Sequence, residues 1–445
     1  MHNFKKICLM VLILACMGKI LGFLLAPVTY GDYLKHDLKE LEKEGKQPDV
    51  VLVGDSRIYR SFVPEILDRE LDGGGHCSIN TGSGSQRMQG SYYYLKDLLE
   101  KYPVEYAIVG LTYTAFLEKD SPSAQAEMVV FDRLETMGVK ADYIREAVPL
   151  EELPYLFKCY RYRGNFSEIP ENLKMKLSWE TRNGIDTRPG EHYENRGYVC
   201  SESGFRDGET GMPVPVPAQW SEGAIDEEAF QWLDRIRELC DEKGVNLILV
   251  TGPTTLSTIY FVKEYEKSYE TFRDYARRWS LPYFELNLLK KRRTLLPDSM
   301  MRDSDHVSGE GAKQISTLFC RILNDYLEGK DIKPYFYASV DEMKQDINEV
   351  VACDFHTEEI AGSEDRLWIA ESLQQEGRAV EYEFLISEGE TQNDWEVLSP
   401  YGEKAECVIP QEKLKGPVWL RVNARMKGSM KEWEAFMVRS REPGE

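Results

Sequence analysis

The sequence predicts an α/β fold: a parallel sheet with helices on both faces, preceded by a membrane-spanning helix and followed by an all-β module. Three observations carry this expectation. From position 48 to about 330, short β-branched runs alternate with amphipathic helical stretches, the pattern of a helix-covered parallel sheet. Ahead of them, an apolar run from Ile7 to Ala26 is long enough to cross a bilayer. Beyond Lys333 the pattern changes to short alternating runs separated by turn residues, as antiparallel strands require.

Residues 1–28 read as an uncleaved signal anchor. Lys5 and Lys6 precede the apolar run, and Lys19 interrupts it and must snorkel towards one face. No small-x-small cleavage site follows, which argues against a removed signal peptide. Cys16 after Leu14-Ala15 offers a competing lipoprotein site, but the apolar run continues past it. Positive residues at the amino end place that end in the cytoplasm and the remainder outside. The expected localisation is therefore the cell membrane, single-pass, with an extracytoplasmic body. Residues 29–47 read as a charged amphipathic linker that helps lift this body off the membrane.

Candidate strands of the sheet are 50–54, 77–80, 106–111, 246–251 and 282–286. Val50-Val51-Leu52-Val53 runs into the small turn Gly54-Asp55-Ser56, and helical spacing follows at Ile58, Phe62, Ile66 and Leu67, predicting a helix over Arg57–Leu71. Further helices are expected over Gln86–Tyr102, Asp226–Lys243 and Val262–Trp279. In the second of these, Asp226 is the N-cap and Gly244 the C′ residue. In such sheets the site lies at the carboxyl ends of the strands, at the switch point. The stretch 115–225 is too long for a plain connection. It reads as a partly helical insert over that edge, forming a lid or substrate groove, with Pro-Val-Pro-Val-Pro at 213–217.

After Lys333, Asp341–Val350 reads as a short helix. Strand-like runs follow at 367–373, 380–387, 395–401, 406–410, 418–426 and 432–439. Apolar and polar residues alternate strictly over Val418–Ala424, as in a half-buried antiparallel strand. The expected unit is a β-sandwich over 345–445.

Composition excludes several function classes. The net charge of −21 argues against nucleic acid, which needs a basic footprint. Six histidines are scattered with neither His-x-x-x-His nor Cys-x-x-Cys spacing, so no metal centre is expected. The nine cysteines lack paired spacing. Most read as small buried apolar residues, with one bridge among Cys77, Cys159, Cys200, Cys353 and Cys407 left open.

Three stretches carry chemistry. Ser56 stands where a strand turns into a helix, a good mount for a nucleophile beside helix-start N–H groups; the competing role is a helix cap. Asn80-Thr81-Gly82-Ser83-Gly84-Ser85-Gln86 follows the second strand, and its small residues allow close approach of backbone N–H groups to an oxyanion. Asp303-Ser304-Asp305-His306 precedes the last helix, whose apolar face is Ala312, Ile315, Phe319, Ile322 and Leu323. His306 can take the serine proton, and Asp303 can fix its tautomer. Asp305 is the competing orienter.

Gly54-Asp55-Ser56, Asn80-x-Gly82-x-Gly84 and Asp303-x-x-His306 together resemble the SGNH/GDSL hydrolase superfamily over roughly residues 48–330. The resemblance implies a three-layer α/β/α sandwich with a flavodoxin-like five-stranded sheet, and acyl-ester chemistry without metal or cofactor. It implies Ser56, His306 and Asp303 as the catalytic set, with the Ser56 N–H and the glycines Gly82 and Gly84 in the oxyanion hole. The third block of the family carries an asparagine. Here the third strand ends Val109-Gly110-Leu111-Thr112-Tyr113, so Thr112, Tyr113 or Gln86 is left to supply that donor.

The layout is also similar to a membrane-anchored branch that includes the teichoic-acid D-alanylation protein DltD and the alginate-type O-acetylation proteins. That likeness implies acyl transfer to a cell-envelope glycan or teichoic polymer, with a membrane-bound O-acyltransferase partner. Tyr382-x-Phe384, Trp395, Tyr401, Pro410 and Gly416 resemble the triple-tyrosine (Y_Y_Y) Ig-like module, without the tyrosine expected after Gly416. Two other functions remain open from sequence: a simple esterase or deacetylase, and a non-catalytic surface-binding protein with a degenerate SGNH domain.

Overall fold

The structure, a computed structural model, describes residues 2–117, 124–205, 220, 225–262, 264–389, 392 and 394–441. α1 (His2–Leu25) contains a stretch, Phe4–Leu25, long and apolar enough to cross a membrane. α2 (Tyr30–Lys43) occupies the stretch expected to be a linker, yet it is no free spacer. Leu34, Leu38 and Leu41 recur at i, i+4 and i+7. With Tyr33, they pack into the main core.

β1 (Val50–Val53), α3 (Ser56–Ser61), α4 (Pro64–Glu70), β2 (Ser78–Asn80), α5 (Met88–Leu99) and β3 (Tyr106–Gly110) follow. The single helix predicted over Arg57–Leu71 is broken in two at Phe62-Val63. Pro64 has no N–H to donate and forces the residue before it out of helical backbone; Val63 sits at φ −92°, ψ 111°. Ile58, Phe62, Ile66 and Leu67 are buried all the same. The apolar spacing was right about the inward face and silent about the break.

The insert contains α6 (Ala124–Arg133), α7 (Met137–Ala147), α8 (Lys158–Arg161), α9 (Ile169–Leu177), α10 (Trp179–Arg182) and a hairpin of β4 (Glu191–Asn195) and β5 (Tyr198–Ser201). The proline-rich run 213–217 lies outside the described residues. α11 (Glu227–Lys243) has Asp226 as N-cap, its side chain accepting from the Glu228 N–H, and Gly244 in left-handed backbone at φ 68°. β6 (Asn246–Thr251), α12 (Leu256–Phe261), α13 (Tyr265–Arg278), β7 (Tyr283–Glu285), α14 (Arg292–Leu295) and α15 (Gly309–Leu327) complete the unit.

Five strands form one sheet in the order β2-β1-β3-β6-β7, every neighbouring pair parallel. Successive strand residues face opposite sides. Val51, Val53, Ala107, Val109 and Leu249 join a core with Leu95 of α5, Leu233 of α11 and Phe272 of α13. Val50, Leu52, Ile108, Ile248 and Val250 join a second core with Phe62 and with Ile315, Phe319 and Leu323 of α15. The result is the expected three-layer α/β/α sandwich. Each of these large apolar side chains contributes roughly 1.5–3 kcal/mol by leaving water. The chain leaves β1 in one direction towards β2 and crosses to β3 on the other side, so a crevice opens at the carboxyl end of β1.

α16 (Val340–Asp346) leads into seven strands: β8 (Ala352–Glu359), β9 (Arg366–Leu373), β10 (Val380–Glu388), β11 (Glu396–Gly402), β12 (Glu406–Ile409), β13 (Val418–Met426) and β14 (Ala435–Arg441). They form a four-stranded sheet, β11-β10-β13-β14, and a three-stranded sheet, β12-β9-β8. All pairs are antiparallel. Trp368, fully buried, packs edge-on to Phe355 and Phe384 at centroid separations of 5.1 and 5.0 Å. β8 has no counterpart among the predicted runs, because only its first half carries buried residues. Cys77, Cys159, Cys200, Cys353 and Cys407 are all free thiols.

Candidate active site

Ser56 is the first residue of α3, directly beyond β1. The tight entry depends on Gly54. It sits at φ +153°, and a Cβ there would come within 2.6 Å of Ile58 Cγ1. The helix cap is Asp55, not Ser56: Asp55 Oδ1 accepts from the Arg57 N–H at 3.0 Å. The serine hydroxyl is therefore released from capping and points at an imidazole.

That imidazole is His306. Ser56 Oγ lies 2.8 Å from His306 Nε2. On the other side of the ring, Nδ1 lies 2.8 and 3.0 Å from the two carboxylate oxygens of Asp303. A carboxylate at Nδ1 fixes the proton there and leaves Nε2 to accept from the serine. Asp303 is itself locked: its Oδ1 accepts the backbone N–H of Asp305 at 2.9 Å and of His306 at 3.0 Å, an Asx turn. Burial opposes the charge on Asp303, but the His306 ring and the Asp305 N–H outweigh it and hold the carboxyl below its ordinary value.

Asp305 has another partner. Its Oδ1 is 3.1 Å from Arg57 Nη2, and Arg57 also lies 3.9 Å from Asp55. Arg57 is buried, with its guanidinium over the Tyr113 ring at 5.2 Å. Burial works against its charge; Asp305, then Asp55, more than offset this and raise its affinity for the proton. One arginine thus holds the competing carboxylate away from the imidazole.

The loop bearing His306 is pinned on three sides. Met301 and Val307 pair across it. The Thr255 N–H and the Thr258 hydroxyl donate to Ser304 O at 2.8 and 3.1 Å. From the insert, the Gly204 N–H and the Ser203 hydroxyl each donate to Met301 O at 3.0 Å. So part of the insert braces the site rather than covering it.

The second loop is equally constrained. Asn80 is buried, and its Nδ2 donates to Ile58 O at 2.9 Å while its Oδ1 accepts the Gly82 N–H at 3.2 Å. Its backbone N–H donates to Arg196 O. The hairpin turn there needs Gly197, at φ +89°, because a Cβ would lie 1.6 Å from Asn80 O. Arg133 of α6, buried, donates to Thr81 O and Gly82 O at 3.2 and 3.0 Å.

A cavity of about 310 Å³ opens between these loops. Ser56, His306, Arg57, Gln86, Arg87 and Thr114 are among its walls. Of the proposed oxyanion donors, the Ser56 N–H stands in the first helical turn, where no intrahelical acceptor exists. Gln86 lines the cavity, but its amide is engaged with Ser83 at 2.9 Å and Ser91 at 3.0 Å. Gly82, Gly84 and Thr112 are not among the lining residues; Gly84 is exposed and Thr112 buried. Sequence reasoning assigned no site role to Arg57, Arg133 or Arg87. Arg57 is the chain neighbour of Ser56 and carries a charge, which is the one local signal it gives. Arg133 lies in a distant helix and gives no local signal.

No protein-family model matches the chain, and no curated protein matches it. Solved structures share its fold only loosely. A GDSL-like lipase from Bacteroides thetaiotaomicron has 9% identity and a TM-score of 0.30, over 67% of this chain and 100% of that one. A carbohydrate acetylesterase family member from Sinorhizobium meliloti has 11% identity and a TM-score of 0.25, over 62% and 99%. Likenesses this distant carry no function to this chain. The class it falls in rests on its own coordinates: a three-layer α/β protein with a serine, a histidine and an aspartate in contact at the carboxyl edge of the sheet.

Proposed function

We propose that this protein is an extracytoplasmic serine-dependent acyl-transfer enzyme acting on a cell-envelope polysaccharide or teichoic polymer. One observation carries the reading: the unbroken contact chain Ser56–His306–Asp303, opening into a cavity at the crevice of the sheet. In the first step Ser56 Oγ attacks the acyl carbonyl and His306 Nε2 takes the hydroxyl proton. The tetrahedral intermediate collapses, the ester bond breaks, and His306 returns the proton to the leaving oxygen. In the second step a sugar or polyol hydroxyl attacks the acyl-serine with His306 again as base, and Ser56 is regenerated. Asp303 steadies the imidazolium formed in each step.

The anchor reading of α1 supports an envelope substrate, and a membrane-bound O-acyltransferase is the partner we assign as acyl supplier. The C-terminal sandwich is assigned a spacing or glycan-binding role, in keeping with its likeness to the Y_Y_Y module. The engaged amide of Gln86 and the burial of Thr112 favour one rival, a degenerate non-catalytic domain, since a missing oxyanion donor costs about 100- to 1,000-fold in rate.

The test uses the full chain in detergent. A fluorophosphonate probe should label wild type at Ser56 and leave Ser56→Ala unlabelled. Labelling absent from folded wild type overturns the enzyme reading. Product analysis with an activated acetyl ester, with and without a glycan acceptor, separates transfer from hydrolysis: free acetate in both cases leaves a simple esterase.

A further inference from the structure

The carboxyl end of α1 is built into the insert. Its last carbonyls have no intrahelical donors, and the insert supplies them. Asn172 and Asn165 donate to Leu25 O at 3.1 and 3.4 Å, and Lys176 donates to Phe23 O and Ala26 O. Leu25 and Ala26 are buried against Tyr162 and Ile169.

The insert also reaches back along α1. A Cβ on Gly22 would lie 3.0 Å from Lys158 Cβ, and one on Gly18 would lie 3.7 Å from Cys159 Sγ. Gly18 precedes Leu25 by about 10 Å of helix axis, at 1.5 Å per residue. The apolar stretch Phe4–Leu25 measures about 33 Å, against about 30 Å of bilayer hydrocarbon. Almost none of it can project into water. The turn at Lys158-Cys159 therefore stands at the depth where interfacial segments bury their apolar faces, about 5–10 Å into the headgroup and acyl boundary.

The surface around that turn is built for such a place. Leu150, Phe157, Phe166, Leu177 and Trp179 are 82%, 66%, 60%, 56% and 68% exposed, far from the usual state of large apolar side chains in this fold. Over 150–182 six lysines and arginines stand against five glutamates, so the segment as a whole is nearly neutral. A groove of about 950 Å³ runs between α1 and the turn, lined by apolar Leu14, Leu156 and Phe157 and by Lys158, Lys176 and Arg182, with Asp32 opposing them. Its shape and lining suit lipid acyl chains.

We propose that residues 150–182 form a second, peripheral membrane contact, seated in the anionic surface of the same bilayer that α1 crosses. The proposal rests on α1 spanning a membrane. Continuity with the anchor and the positive charge lining the groove commit the face to anionic lipid.

The test places a reporter at the turn. Full chain carrying Phe157→Trp is reconstituted in nanodiscs of phosphatidylglycerol and phosphatidylcholine, with and without bromine on the acyl chains. The emission added over wild type should be blue-shifted and at least halved by brominated lipid, more deeply in discs that contain phosphatidylglycerol. Added emission at the wavelength of a water-exposed indole, unquenched, overturns the contact and leaves the face to a protein partner. Equal quenching with and without phosphatidylglycerol overturns the choice of an anionic surface. Alkaline carbonate washing of membranes tests the anchor separately. Release of the protein there overturns the spanning of α1 and the contact with it; retention with an unquenched reporter overturns the contact alone.

Discussion

Replacing Arg57 by methionine removes the cation shared by Asp305 and Asp55. The two carboxylates lie 3.1 and 3.9 Å from the guanidinium, with side chains 25% and 11% exposed. A unit pair at 4 Å is worth about 4 kcal/mol at an effective dielectric of 20. Breaking a buried pair from one side costs about 3–5 kcal/mol, because the other charge is left behind. Asp55 keeps the Arg57 backbone N–H as a donor, and Asp305 keeps some water, so the lower end applies, about 3 kcal/mol. For a domain of this size that is a fall in Tm of about 6–12 °C. Near-UV circular dichroism of the full chain in detergent reads the transition, with Ser56 labelling rate measured in parallel. Arg57→Met should lose both stability and labelling, since Asp305 is then free to compete for the imidazole. Adding Asp305→Asn should recover about half of the lost stability, the coupling expected of residues in contact. A single-variant loss under about 1 kcal/mol, or no recovery in the double variant, would refute the view that Arg57 holds the site together through its charge.

Three further outcomes follow from the same coordinates. Asp303→Asn keeps an oxygen for the backbone donors but loses the charge that steadies the imidazolium; fluorophosphonate labelling should slow by up to about 10,000-fold, and an unchanged rate would remove Asp303 from the mechanism. Burial holds the Glu285 carboxyl above its ordinary value despite donors from Tyr283 at 2.7 Å and from the Asn287 N–H at 3.2 Å. The native state then binds more protons than the unfolded state between the ordinary and the raised value, so stability falls as pH climbs through that window. Glu285→Gln should raise Tm over wild type at pH 8 and by much less at pH 4, with equal gains at both pH values counting against it. Trp368→Ala empties the centre of the C-terminal sandwich at a cost of about 3–5 kcal/mol; it should lower the thermal transition of that module and leave Ser56 labelling intact.

Much of the fold was legible because the five core strands are short apolar runs with turn residues at both ends. Their expected limits match the observed strands within a residue. Capping chemistry was equally readable at Asp226 and Gly244. Pro64 could have shown the break between α3 and α4, but the unbroken apolar spacing across it was the louder signal. The amphipathic character of α2 was legible, but not that its leucine face docks on the main core, which depends on elements far along the chain. Of the candidate site, Ser56, Asp303 and His306 stand in local motifs and could be named from the chain. Arg57's grip on Asp305, and Arg133's on the Thr81-Gly82 backbone, exist only after residues far apart in sequence have folded together. The donor that replaces the third-block asparagine was not legible, since hydrogen-bond occupancy at Gln86 depends on Ser83 and Ser91 in three dimensions.

The docking of α2 bears on how Ser56, in the proposed reaction, would meet its substrate. With Tyr33 stacked on Tyr193 at 5.3 Å and Leu34 and Leu38 sunk in the core, the stem acts as a bracket, not a leash. A body on a leash sweeps a hemisphere and finds acceptors at many heights. On the proposed reading, a body on a bracket would keep its cleft at one altitude over the lipid, and a polymer acceptor would be modified only where its own hydroxyls pass that level. Pattern along the polymer would then be set by rigid geometry at the base of the protein, some distance from any residue that performs chemistry.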